Sequence, residues 1–115
     1  MSFRWPNKDP DETLDYSMDW SRFLDGAHIN GVKWFVKSTL YGTKTELESG
    51  ETLTSASGAA TTDSLQNVSQ TNTTTVATIN IAGGQNNVEY TFFCQMTDTT
   101  GSTAERSVKL RIKER

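Results

Sequence analysis

Residues 88–113, VEYTFFCQMTDTTGSTAERSVKLRIK, decide how the chain folds. Val88, Tyr90, Phe92, Cys94 and Met96 alternate with Glu89, Thr91, Phe93, Gln95 and Thr97. Successive side chains of a strand point to opposite sides, so a period of two places the first set on one face. Asp98-Thr99-Thr100-Gly101 follows as a turn, with Gly101 available for a positive φ. Arg106, Val108, Leu110 and Ile112 then alternate with Ser107, Lys109, Arg111 and Lys113. The two runs predict an antiparallel hairpin, 88–97 with 105–113, paired across 98–102. Tyr90, Phe92, Val108 and Leu110 then face a core, and Glu89 and Lys109 face outward. Phe93 interrupts the polar face of its strand and is a candidate contact residue.

Working outward from the hairpin, the same period recurs. Val32, Trp34 and Val36 alternate with Lys33, Phe35 and Lys37, which predicts a strand over 28–38 with Trp34 in the core. Leu14, Tyr16, Met18 and Trp20 alternate with Asp15, Ser17, Asp19 and Ser21. Helical spacing fits this run partly, but there is no capping box, and the alternation predicts a strand with an acidic outer face that resists edge-to-edge pairing. Ala77, Ile79 and Ile81 predict another strand, ended by Gly83-Gly84. Residues 42–72 are mostly Ser, Thr, Gly, Ala and Asn, with Leu47, Leu53, Leu65 and Val68 as the core candidates. They are expected to form one or two short strands between loops, ordered in part only by a neighbouring subunit.

Composition agrees with these patterns. Among 115 residues there are 18 Thr and 11 Ser, and the only two Pro lie in the first ten positions. Thr is β-branched and suits a half-exposed pleated surface. Several short strands separated by turn signals predict an all-β, immunoglobulin-like β-sandwich. Trp34 on an early strand and Tyr90 after the Gly83-Gly84-Gln85-Asn86-Asn87 corner are placed as in that plan, with the Tyr90 hydroxyl expected on backbone. Residues 14–115 form the sandwich, and residues 1–13 an extended N-terminal arm.

Catalysis requires a poised acid, base, nucleophile or metal, and no such set is visible. The single histidine, His28, lies in a turn, and Gly83-Gly84 lacks the lysine of a phosphate loop. One cysteine, Cys94, rules out an internal disulfide; it reads as a small buried hydrophobe. Asp9, Asp11 and Glu12 lack calcium-loop spacing and read as a solvated acidic arm. The Asn67 and Asn72 sequons are commonplace in a Thr-rich chain. No catalytic residue, cofactor or metal is expected, and the chain is not expected to be an enzyme. A net charge of −3 argues against nucleic acid as a partner, and no apolar run is long enough for a membrane span or a signal peptide.

The first thirteen residues carry the candidate interface. Phe3, Arg4, Trp5, Pro6 and Lys8 lie in a segment with no core of its own, and Pro6 and Pro10 favour an extended chain. Trp5 is suited either to insertion into another subunit or to folding back over its own sandwich, with Arg4 and Lys8 as rim contacts. Basic residues gather at the C-terminus (Arg106, Lys109, Arg111, Lys113, Arg115) and acidic ones in the first third. This asymmetry fits pairing within the domain, docking of like subunits head to tail, or docking on an acidic partner.

The stretch Trp5 to Trp20, WPNKDPDETLDYSMDW, followed by SRFLDG, resembles the opening of bacteriophage fiber-tail adaptor proteins. Gly83-Gly84, Glu89-Tyr90-Thr91, Gly101 and Glu105-Arg106-Ser107-Val108 running into LRIKER resemble their ending. The likeness covers about half of the chain and leaves 40–75 unmatched. It implies an immunoglobulin-like virion structural protein at the neck or tail of a tailed phage. Its implied partners are other virion proteins and copies of itself in a ring, with assembly in the host cytoplasm. The competing class is a capsid-surface decoration or carbohydrate-binding module, with Phe35, Tyr41 and Phe93 as a sugar platform.

Overall fold

The computed structural model of the protein describes residues 3–39, 44–54 and 62–114. Its strands, in chain order, are β1 (Phe3–Arg4), β2 (Thr13–Asp19), β3 (Ile29–Ser38), β4 (Thr45–Glu46), β5 (Thr52–Thr54), β6 (Thr62–Asn72), β7 (Val76–Ala82), β8 (Glu89–Asp98) and β9 (Thr103–Arg111). They form two sheets, a five-stranded one ordered β1-β9-β8-β3-β4 and a four-stranded one ordered β2-β7-β6-β5. Pairing is antiparallel except between β1 and β9. The chain is therefore an all-β sandwich, as the composition and alternation predict.

The hairpin forms in the expected register, with Tyr90 opposite Leu110, Phe92 opposite Val108 and Glu89 opposite Arg111. Tyr90, Phe92, Cys94 and Met96 are fully buried, and Arg111 is exposed. The turn is locked by Asp98, whose Oδ1 accepts the Thr100 hydroxyl at 2.6 Å and the Thr100 and Ser102 N–H groups at 2.9 and 3.0 Å. These bonds, led by the Thr100 hydroxyl, hold the Asp98 carboxyl below its ordinary range. Gly101 takes a φ of 92°, as a turn residue without a Cβ can.

Trp34 lies opposite Cys94 and Val36 opposite Phe92, which carries the inward face from β8 to β3. Across the sandwich, β2 pairs Tyr16 with Ile79 and Met18 with Ala77, all buried. The two inward faces form one core with Trp20, Leu65, Ile81, Leu110 and Ile112. The Tyr90 hydroxyl accepts the N–H of Gln85 at 3.0 Å, which is the backbone bond expected at this corner. Immediately before it, Gly83 and Gly84 take φ of 71° and 101°. A Cβ on Gly83 would stand 2.0 Å from the Ser64 carbonyl oxygen, so the close approach of β6 to this corner depends on glycine.

Two expectations require correction. Residues 62–72 are an eleven-residue strand, not a loop or a short strand. Leu65 and Asn67 point into the core, and the Asn67 amide nitrogen donates to the Leu47 carbonyl at 3.0 Å and to Gln70 Oε1 at 2.9 Å. A buried amide, bonded through its nitrogen while its oxygen is buried without a partner, thus occupies a position where an apolar residue would announce a strand. Val68 follows inward Asn67 on the outer side, and a bulge between Asn67 and Ser69 then places Ser69 outward and Gln70 opposite inward Ile79. Within the stretch 42–72 expected to be ordered in part by a neighbouring subunit, residues 42–43 and 55–61 lie outside the described residues.

The N-terminal segment is also not a free arm. Phe3 and Arg4 pair with Val108 and Lys109, and Lys8 bridges to Ile112. The Trp5 N–H donates to the Lys109 carbonyl at 2.9 Å, and the Lys8 N–H to that of Arg111 at 3.1 Å. Residues 3–8 thus complete the β9 edge of the five-stranded sheet.

Candidate protein-interaction surface

The residues singled out in the first thirteen positions meet different fates. Trp5 folds back over its own domain: its ring stacks on Tyr16 at 4.7 Å and lies 5.5 Å from Phe92 and 6.0 Å from Trp34. Lys8 is fully buried, and its ammonium donates to the Gly83 carbonyl at 2.7 Å and the Asp9 carbonyl at 2.9 Å. It is a clasp between the N-terminal segment and the β7–β8 corner, not a rim contact. Burial pulls its pKa below the ordinary lysine value, against the opposing pull of Glu12, Asp9 and Asp11. Arg4 is exposed and pairs with Glu89 at 2.8 Å. Pro6 is exposed, and Phe3 enters as backbone of β1.

The acidic run is organised by its own turn. Asp9 Oδ1 accepts the Asp11 N–H at 2.8 Å, and Glu12 Oε1 accepts the Asp9 N–H at 2.9 Å. Among the described residues, no group of three acidic, histidine or cysteine side chains could hold a metal ion.

Phe93 stands where the alternation places it, on the outer face of the five-stranded sheet. It lies directly opposite Phe35 on β3, and both rings are half-buried. The Lys44 ammonium sits over the pair, 4.7 Å from the Phe93 centroid and 5.0 Å from that of Phe35, and pairs with Glu105. A cation held over two ring faces is a favourable arrangement. Around it the outer face carries Lys33, Lys37, Lys109 and Arg111, with Glu46 opposite Phe35 and Glu89 between Arg4 and Lys109. The site thus combines an apolar centre with a charged rim, the anatomy of a protein interface. Tyr41 lies outside the described residues.

Neighbouring features complete the map. Beside Trp5, a cleft of about 290 Å³ opens between the sheets, lined by Arg4, Met18, Asp19, Arg106 and Val108. Arg106, expected among inward residues, is half-buried with its guanidinium 4.7 Å from the Trp20 ring. Phe23 and Val68 are exposed, and neither stood out in the sequence as a surface residue. Phe23 follows β2 on a single helical turn, and Val68 follows inward Leu65 and Asn67 at the bulge, on the outer side of β6. The thiol of Cys94 is buried, which raises its pKa to about 11 and leaves it chemically quiet.

A search of curated proteins gave no match. A protein-family comparison matches the description "Podophage GP4 fiber-tail adaptor protein gp77" over residues 8–46 and 40–111. The matched segments take in β2 through β9, including both sheets and the Phe35–Phe93 face. With nearly all of the sandwich covered, the chain belongs to the podophage fiber-tail adaptor family and is a structural protein of the phage virion.

Proposed function

We propose that this protein is an adaptor that joins tail or neck components of the virion to fibers, or to each other, and that it works through protein–protein contacts on an immunoglobulin-like sandwich. The family match carries the adaptor role. The immunoglobulin-like assignment is supported by topology. The order β2-β7-β6 opposite β9-β8-β3-β4 corresponds to the B-E-D and G-F-C-C′ sheets of that plan. It is supported also by a buried Trp34 on the third strand and by the Tyr90 hydroxyl bonded to backbone just upstream.

The contact surface we assign is the outer face of the five-stranded sheet around Phe35 and Phe93, not an arm at 1–13. No chemistry is assigned: the protein acts as a joint, with copies arranged in a ring, neither nucleic acid nor membrane as a partner, and assembly in the host cytoplasm. Repetition around the ring converts modest contacts into a stable attachment. A sugar platform at Phe35 and Phe93 has less support, because Lys44 occupies the ring faces that a glycan would stack on.

The test is complementation of phage lacking the gene. Wild-type protein restores fiber-bearing particles, whereas Phe93→Glu, soluble and folded by circular dichroism, leaves the particles without fibers or leaves the joint unmade. Normal, fibered particles from the unsupplemented mutant phage would overturn the adaptor role. Full rescue by Phe93→Glu would overturn the assigned face. Binding of isolated protein to a glycan array, lost with Phe93→Glu, would favour the carbohydrate alternative.

A further inference from the structure

The charges of this protein are sorted by sheet. β2, β5, β6 and β7, which make the four-stranded sheet, contain no lysine or arginine. β2 turns exposed Asp15 and Asp19 outward. The five-stranded sheet carries Arg4, Lys33, Lys37, Lys109 and Arg111 on strands β1, β3 and β9, with Lys44 beside β4. Among the described residues, Lys33 and Lys37 have no ion-pair partner. The ion pairs that do form, Arg4 and Lys109 with Glu89 and Lys44 with Glu105, stay on the five-stranded side. A chain of net charge −3 thus has one basic, aromatic-centred face and one face without cations.

We propose that copies of this chain dock head to tail, the outer face of the five-stranded sheet in one copy against the outer face of the four-stranded sheet in the next. The two faces point in opposite directions, so one molecule cannot satisfy both within itself. Two basic faces repel, as do two acidic ones, which disfavours a symmetric dimer through either face. The complementary pairing is heterologous, and heterologous contacts build rings when their rotation closes. Shape agrees with charge. The acidic face is paved with short polar side chains in cross-strand register, Ser17 with Thr78 at 2.8 Å and Asn80 with Asp15 at 2.6 Å, continued by Ser69 and Thr71. A surface of such short side chains leaves room for the raised Phe35–Phe93–Lys44 cluster of the next copy. This inference takes from the adaptor reading only the setting in which copies lie side by side, and it names which faces meet.

Sedimentation of the full chain tests it, from about 10 µM to 1 mM, at low ionic strength where charge is least screened. Two single-face variants are compared at exposed positions, Lys33→Glu with Lys37→Glu, and Asp15→Lys with Ser17→Lys, each checked for an unchanged thermal transition. Wild type is expected to associate with concentration, and to do so roughly tenfold more weakly at 0.15 M salt. Each single-face variant is expected to remain monomeric. An equimolar mixture of the two should associate beyond dimers, because both the native and the reversed pair of faces are complementary between unlike copies. A chain carrying all four substitutions should associate as wild type does. A wild type that stays monomeric at 1 mM, single-face variants that associate like wild type, or a mixture that stays monomeric would each overturn the proposal. Any of these would leave the adaptor role standing, since fiber attachment is read separately by complementation.

Discussion

Trp5→Ala separates a docked N-terminal segment from a free arm. Emptying a buried Trp site in a core costs about 3–5 kcal/mol. Trp5 is half-buried rather than sealed, so only part of that transfer energy is at stake. Its stack on Tyr16 at 4.7 Å and its tilted contacts with Phe92 and Trp34 are intradomain, and aromatic pairs contribute about 0.5–1.5 kcal/mol beyond area burial. Together these give a loss of roughly 2–3 kcal/mol. Urea unfolding followed by tryptophan fluorescence is the assay. With a slope of about 1–2 kcal/mol per molar for a domain of this size, the midpoint should fall by about 1–3 M. Trp34→Ala, at a site 1% exposed, should cost more, about 3–5 kcal/mol. A loss below about 0.5 kcal/mol for Trp5→Ala, the level of an ordinary surface substitution, would mean that residues 3–8 do not dock on their own sheet in solution. The intradomain β1–β9 pairing would then be wrong.

Gly83→Ala should be strongly destabilising, because its Cβ would lie 2.0 Å from a backbone oxygen, whereas Gly101→Ala, with open space around it, should cost only the strain of its positive φ, about 1 kcal/mol; thermal melts of the pair check this. Cys94 should resist alkylating reagents at pH 8 in native buffer and react fully in denaturant, since burial holds its pKa near 11; rapid native labelling would refute its place in the core. The Asp98 carboxyl is held below its ordinary value, so its contribution to stability is complete above the unfolded pKa of about 4 and is lost as pH falls through the folded value. Asp98→Asn should therefore flatten the acid limb of the stability–pH curve below about pH 4, measured by denaturant midpoint.

The extent to which the fold was legible follows from what each inward position holds. The β8–β9 hairpin was readable because every inward residue from Tyr90 to Met96 is large or apolar and its outward partners are mostly polar. Trp34 and the Tyr90 bond were readable for the same reason, combined with their placement relative to the turns. β6 was not, because one of its core positions is an asparagine whose amide nitrogen is bonded to Leu47 and Gln70, partners that periodicity cannot supply. The fold-back of Trp5 was one of two open readings, but the burial of Lys8 that secures residues 3–8 was hidden by a residue-type expectation. A lysine is almost never fully buried, and the carbonyl that receives Lys8 lies 75 residues away on Gly83. Of the candidate interface, Phe93 was visible as a break in alternation. Phe35 was grouped with Phe93 as a sugar platform, but only the β3–β8 register sets the two rings directly opposite each other, beneath Lys44.

The placement of the aromatic pair on a face, rather than at an edge, bears on how a small sandwich can be a specific joint. Open strand edges recruit any extended chain, because backbone N–H and C=O groups carry no sequence information. Here the edges of the five-stranded sheet are two-residue strands, β1 and β4, and the β2 edge of the other sheet displays Asp15 and Asp19. Short edges and outward acids make indiscriminate strand addition unfavourable. A sheet face, by contrast, is read entirely through side chains. On the five-stranded face those side chains are a pair of phenylalanines bracketed by charges, so a partner must match both shape and sign. This division disfavours random aggregation through the edges. It leaves the sheet faces, the β3–β8–β9 face among them, to carry the proposed contacts.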